Sequence, residues 1–182
     1  MSIPPIGPGL KTPPMLRVDH AGEHGAVAIY RGQQAVFAPL PHKARMAGLL
    51  AEMEAGEAHH LQTFDRLLTE RRVRPTVFSP VWAAAGWGLG AVTALMGERA
   101  AMACTSAVES VIEGHYKEQA DALAQDEAEA DTRSMFLAFR EDELGHHDTA
   151  IAEGAEDAPG YAVMARVIRA GCRAAIRITQ RL

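Results

Sequence analysis

Phe139-Arg140-Glu141-Asp142-Glu143-Leu144-Gly145-His146-His147-Asp148 carries a Glu-x-x-His pair, Glu143 and His146. On an α-helix, residues three apart share a face, so this carboxylate and imidazole can reach one metal ion together. A single pair is weak evidence, because Glu and His fall at that spacing by chance in Glu-rich helices. Here the pair recurs as Glu57-Ala58-His59-His60. Each pair also has a glutamate 34 residues upstream, Glu23 before Glu57 and Glu109 before Glu143. The chain therefore spells Glu…Glu-x-x-His twice, with a period of 86 residues. Surface glutamates and histidines explain one pair easily and a doubled, evenly offset set poorly.

Working outward, the periodicity predicts helices over about Leu16–Phe37, His42–Arg72, Ser79–Gly97, Glu98–Ala124, Asp131–Gly154 and Pro159–Arg181. Pro39, Pro41 and Pro75 end the first two, and Asp19 is a candidate cap for the first. Gly22, Gly25 and Gly32 lie inside the first helix. Each costs roughly 1 kcal/mol there, which points to close helix approach or to room for a ligand. A chain of 182 residues, 48% apolar but only 5% aromatic, fits a single all-α domain over residues 15–182. Residues 1–14, with five prolines, have neither the basic start and apolar run of a signal peptide nor the Arg/Ser-rich character of a transit peptide. They are expected to be an extended lead-in. A net charge of −5 gives no reason to expect nucleic acid as a partner. Cys104 and Cys172 stand singly, which argues against a disulfide framework or a thiolate zinc site.

Two glutamates and two Glu-x-x-His pairs on four helices form the ligand set of the ferritin-like di-iron carboxylate bundles. Four buried carboxylates are too costly unpaired, whereas two divalent ions balance them and leave both histidines neutral. Carboxylate and imidazole donors suit iron or manganese. The expected assignment has Glu57 and Glu143 bridging, Glu23 and Glu109 terminal, and His60 and His146 on one metal each. Glu54, His59, His147 and Glu113 are rivals that fail the 34-residue offset. Asp19, Asp142 and Asp148 are candidates to orient ligand imidazoles.

Two features point to a membrane. Thr76–Gly97 holds 22 residues without a charge, with Trp82, Trp87 and a Gly86-x-x-x-Gly90 spacing. It reads as a buried or membrane-dipping helix, with a full span as the alternative. Arg166, Arg169, Arg173, Arg177 and Arg181 form one stripe on the last helix. That pattern suits an anionic membrane surface, or else a solvated face packed on the core.

Leu16 through Glu23, Ala101-Met102-Ala103-Cys104-Thr105 leading to Glu109, His115-Tyr116, and Phe139 through Thr149 resemble the demethoxyubiquinone hydroxylases. The resemblance covers nearly the whole chain from Leu16. It implies a di-iron monooxygenase of ubiquinone biosynthesis, with two Fe ions as cofactor and O2 as co-substrate, hydroxylating the ring of a polyprenyl demethoxyubiquinol. It carries the six ligands Glu23, Glu57, His60, Glu109, Glu143 and His146, and implies a role for His115 and Tyr116 in electron or proton delivery. His24, where an aromatic residue is expected, and Glu113 depart from the pattern. The resemblance further implies a peripheral place on the cytoplasmic side of the cell inner membrane and a lipid-binding accessory protein as partner. A homo-oligomer is compatible with the sequence but not specified by it. Other function classes that the ligand set admits are a ferroxidase or rubrerythrin-like di-iron redox protein and a non-catalytic membrane-associated helical scaffold.

Overall fold

The computed structural model describes residues 12–181, all helix and connecting turns. Helix α1 (Thr12–Phe37) begins three residues earlier than residue 15. Pro13 and Pro14 sit in its first turn, where a missing N–H costs nothing, so the prolines expected to hold an extended lead-in start the helix instead. The rest of that lead-in, residues 1–11, lies outside the described residues. Asp19 is two turns inside α1, buried and unavailable as a cap.

Helix α2 (Ala44–Glu70) runs antiparallel to α1. Arg31 Nε meets Glu54 Oε1 at 2.7 Å and His20 Nε2 meets Asp65 Oδ1 at 2.9 Å, pairs whose order reverses along the two helices. Helices α4 (Glu98–Ala122) and α5 (Ala130–Ala152) form a second hairpin of the same kind. It is tied by Arg140 to Glu113 at 3.0 Å and by Arg133 to the Ala120 carbonyl. The 86-residue repeat is thus two helical hairpins packed into one four-helix bundle.

The apolar residues of these four helices fall into two clusters. Leu16, Phe64, Leu68, Tyr116, Phe136 and Phe139 fill one end. Tyr30, Phe37, Met46, Leu50, Met53, Met102 and Ala150 fill the other. On every one of the four helices the repeated Glu and His positions lie between the two clusters. A polar layer is therefore sealed on both sides by packed side chains.

Helix α3 (Ser79–Leu95) links the hairpins and packs alongside α1. A Cβ at Gly86 would lie 2.5 Å from the Gly25 carbonyl, and one at Gly90 or Gly32 would overlap the backbone of Ile29 or Trp87. The Gly86-x-x-x-Gly90 spacing is therefore a contact surface between two backbones. Gly22 meets nothing within 4 Å and instead borders a cavity, so both expected reasons for glycine in α1 are realised, at different positions. At 17 residues, about 25 Å at 1.5 Å per residue, α3 is shorter than a bilayer core of about 30 Å. No described helix is long and apolar enough to cross a membrane. Helices α3 and α4 are separated at Gly97, whose φ of 114° is open to glycine and strained for other residues.

Helix α6 (Tyr161–Gln180) lies against α4 and α1. Its inner side buries Ala165, Ile168 and Thr179. Of the arginine stripe, Arg166, Arg173, Arg177 and Arg181 are exposed, and Arg169 reaches Ser110 Oγ at 3.1 Å.

Candidate metal centre

The fold brings the six repeated Glu and His residues into the sealed layer. Ligand atoms of Glu23, Glu57, His60 and Glu143 lie within 4.8 Å of one another, and so do those of Glu57, Glu109, Glu143 and His146. Glu57 and Glu143 belong to both groups; each other residue belongs to one. His60 Nδ1 is 3.2 Å from Glu143 Oε1, and His146 Nδ1 is 2.8 Å from Glu57 Oε1.

Eight buried atoms here have no hydrogen-bond partner: one oxygen each of Glu23 and Glu109, both oxygens of Glu57 and Glu143, and Nδ1 of His60 and His146. Orphaned buried polar atoms are rare and each costs on the order of 1–3 kcal/mol. Eight of them converging from four helices fit two cations. The donor set, oxygen and imidazole without thiolate, suits iron or manganese.

The electrostatics agree. Burial, reinforced by Glu57, pushes Glu23 well above the usual carboxylate range, and burial with Glu143 does the same to Glu109. Burial and then Glu143 raise Glu57 to about 7, and Glu143 is raised mainly by burial. At His146, burial favours the neutral ring but is outweighed by Glu143 and Glu57, and the value rises to about 11. Without cations, the cluster holds protons in their place.

The rivals are engaged elsewhere. Glu54 binds Arg31 and Gln34, Glu113 binds Arg140, His147 contacts Asp148, and His59 is exposed. Of the three aspartates considered for orienting imidazoles, only Asp142 reaches one of the six, meeting His60 Nε2 at 3.1 Å. Asp148 serves His147. Asp19 lies 3.4 Å from His115 Nε2, accepts from Gln119 at 3.0 Å, and holds the His115 imidazole basic against the effect of burial.

Tyr116 donates a hydrogen bond to Glu23 Oε1, the oxygen not turned inward. Tyr30, which the ligand spacing did not single out, donates to Glu109 Oε1 at 2.7 Å. These two tyrosines are also 86 residues apart, so each hairpin clamps the other's lone glutamate. That period was available in the sequence. Burial and the facing carboxylates push both phenols well above their usual range, which keeps them protonated as donors.

A largely apolar cavity of about 410 Å³ reaches Glu23, His115 and Tyr116 from between α3 and α6. Gly22, Gly25 and Ala26 of α1, Trp82, Gly86 and Leu89 of α3, and Ile168, Cys172 and Ile176 of α6 form its walls. His24, the departure noted beside Glu23, packs edge-on against His20 at 4.7 Å and lies away from the cavity walls.

The family model described as ubiquinone biosynthesis protein COQ7 matches residues 11–179. The 3-demethoxyubiquinol 3-hydroxylase of Rhodospirillum rubrum is 49% identical over 167 residues, 92% of this chain and 76% of that protein. The mitochondrial NADPH-dependent 3-demethoxyubiquinone 3-hydroxylase of Mus musculus is 44% identical over 169 residues, with the same coverage. The mitochondrial 5-demethoxyubiquinone hydroxylase of Saccharomyces cerevisiae is 41% identical over 182 residues, 92% of this chain and 77% of that protein. With the ferritin-like bundle and its doubled Glu-x-x-His layer, these matches place the chain in the COQ7 family of ubiquinone biosynthesis hydroxylases.

Proposed function

We propose that this chain, with one ferritin-like domain that starts at Thr12 rather than at residue 15, is a di-iron monooxygenase that hydroxylates the ring of a polyprenyl demethoxyubiquinol with O2. The observation that carries the reading is the set of eight inward, unpartnered ligand atoms, divided into two groups that share Glu57 and Glu143. Glu23 and His60 would complete one iron position, Glu109 and His146 the other. The irons, when bound, supply the activation of O2 that no protein side chain provides. In the net reaction one oxygen atom enters a ring C–H bond as hydroxyl. The other leaves as water, with two electrons and two protons from a donor of the NADPH class that the mouse relative's name gives.

The chain's own residues do the rest. The cavity ends at Glu23, so a quinol ring fits there with its tail between α3 and α6. Tyr116, kept protonated, holds Glu23 turned inward. His115, kept basic by Asp19 at the same cavity end, is placed to move protons as the ring is oxidised. The two packed clusters exclude water on either side of the layer.

Membrane docking, peripheral and on the cytoplasmic side of the cell inner membrane, belongs to the same proposal. Val81, Trp87, Val92 and Leu95 are exposed on α3, and Arg166, Arg173, Arg177 and Arg181 are exposed on α6. Together they offer an apolar wedge and a cationic face to anionic lipid. A lipid-binding accessory protein would hand over substrate at the same surface.

The test is turnover under ¹⁸O2 by the iron-loaded protein, with demethoxyubiquinol presented in anionic vesicles. The expected product carries one ¹⁸O in its new hydroxyl. Arg166→Glu with Arg173→Glu and Arg177→Glu should cut vesicle binding about a hundredfold or more, at ~1 kcal/mol per arginine lost. Oxidation of added Fe²⁺ without quinol hydroxylation would favour a ferroxidase. Unchanged vesicle binding in the triple variant would remove α6 from docking.

A further inference from the structure

The two halves of the centre come from equivalent positions, so differences between them are informative. Behind His60 stands Asp142, with Oδ2 3.1 Å from Nε2, and the Phe139 ring stacks on the imidazole at 3.9 Å. The position equivalent to Asp142 in the first hairpin is Gly56, and it lies against His146. Even a Cβ there would sit 3.2–3.3 Å from His146 Cε1 and Nε2. A side chain at position 56 would crowd the His146 ring, and glycine there offers it no counterpart of Asp142. Among the described residues, His146 Nε2 has no hydrogen-bond partner in the protein, and Met53 replaces Phe139 in the repeat. The His146 side chain is 16% exposed, that of His60 1%.

We propose that the two metal positions hold their ions unequally: Asp142 makes His60 a fixed ligand, while Gly56 leaves His146 unsupported and its ion the more readily exchanged. The inference rests on the two-metal reading above. A carboxylate on the outer N–H of a ligating imidazole sets the tautomer, fixes the ring and raises its basicity. Removing such a partner typically costs about 10–100-fold in metal affinity. His60 has that support and His146 lacks it. Asp142 is thus a positioning residue acting through His60.

The experiment follows release of Fe²⁺ from the full-length, iron-loaded protein to a ferrous chelator without oxygen. Two phases of equal amplitude are expected, with rates about tenfold or more apart. Asp142→Ala should bring the slow phase toward the fast one. Asp142→Asn, which keeps an acceptor oxygen, should retain most of the slow phase. The Asp142 side chain is 59% exposed, so neither change opens the core. Release of both ions in one phase by the wild type, or a slow phase unmoved by Asp142→Ala, overturns the proposal and leaves the two-metal reading standing. Saturation at fewer than two ions per chain overturns that reading, and the proposal with it.

Discussion

Glu143→Ala should lose both irons of the proposed centre at once. Glu143 belongs to both ligand groups and has two orphaned oxygens, one toward each position. Removing it leaves each metal a ligand short and the site one negative charge short of balancing two dications. Iron content after reconstitution should fall from about two per chain to near none, as expected for a shared ligand of such a centre. Glu109→Ala, by contrast, should retain about one ion, because Glu109 serves a single group. Glu143→Ala should leave the apoprotein's melting temperature unchanged or higher, since it deletes a buried carboxylate crowded by others. That combination, lost metal with an intact fold, separates a ligand role from misfolding. Full iron content in Glu143→Ala would remove it from the site.

Stripping the metal should make stability depend on pH in a direction opposite to that of ordinary surface carboxylates. Glu23, Glu57, Glu109 and Glu143 all have folded values raised above the unfolded value of about 4.3. His146 is likewise raised, from about 6.5 to about 11. Each group therefore binds more protons folded than unfolded, and stability falls as pH rises between its two values. For Glu57 that window is about 4.5 to about 7; for His146 it continues above neutrality. The apoprotein's melting temperature should drop steadily from pH 5 to pH 8. In the proposed centre iron would take the place of those protons, so the loaded protein should show little of that slope and should release protons on binding. At a free-metal level about 1,000 times Kd the gain is about 4 kcal/mol, on the order of 10 °C for a chain of this size. An apoprotein that becomes more stable over the same range would contradict the buried-carboxylate picture.

The doubled motif carried most of the information because helical spacing and the 86-residue period are written in the chain itself. Glu23, Glu57, His60, Glu109, Glu143 and His146 needed only those two periods to be selected as one layer. Tyr30 obeys the same period, but a phenol does not belong to the carboxylate and imidazole donor set, so ligand chemistry alone does not select it. Roles that depend on tertiary neighbours were not legible. Asp19, Asp142 and Asp148 look alike in sequence, yet only Asp142 faces one of the six. Gly22 and Gly32 are both helix-interior glycines, yet one opens a cavity and the other admits the backbone of α3. Pro13 and Pro14 misled because proline is equally at home in an extended segment and in a helix's first turn. Only the buried contact of Thr12 and Leu16 with the bundle separates those readings.

The most direct measurement is the quinone profile, by mass spectrometry of lipid extracts, of cells in which this gene is deleted. Demethoxyubiquinone should accumulate and ubiquinone disappear. The wild-type gene should restore the balance, and the Glu143→Ala form should not. An unchanged ubiquinone pool, in cells with no second hydroxylase for that step, would contradict the assignment of this chain to quinol hydroxylation.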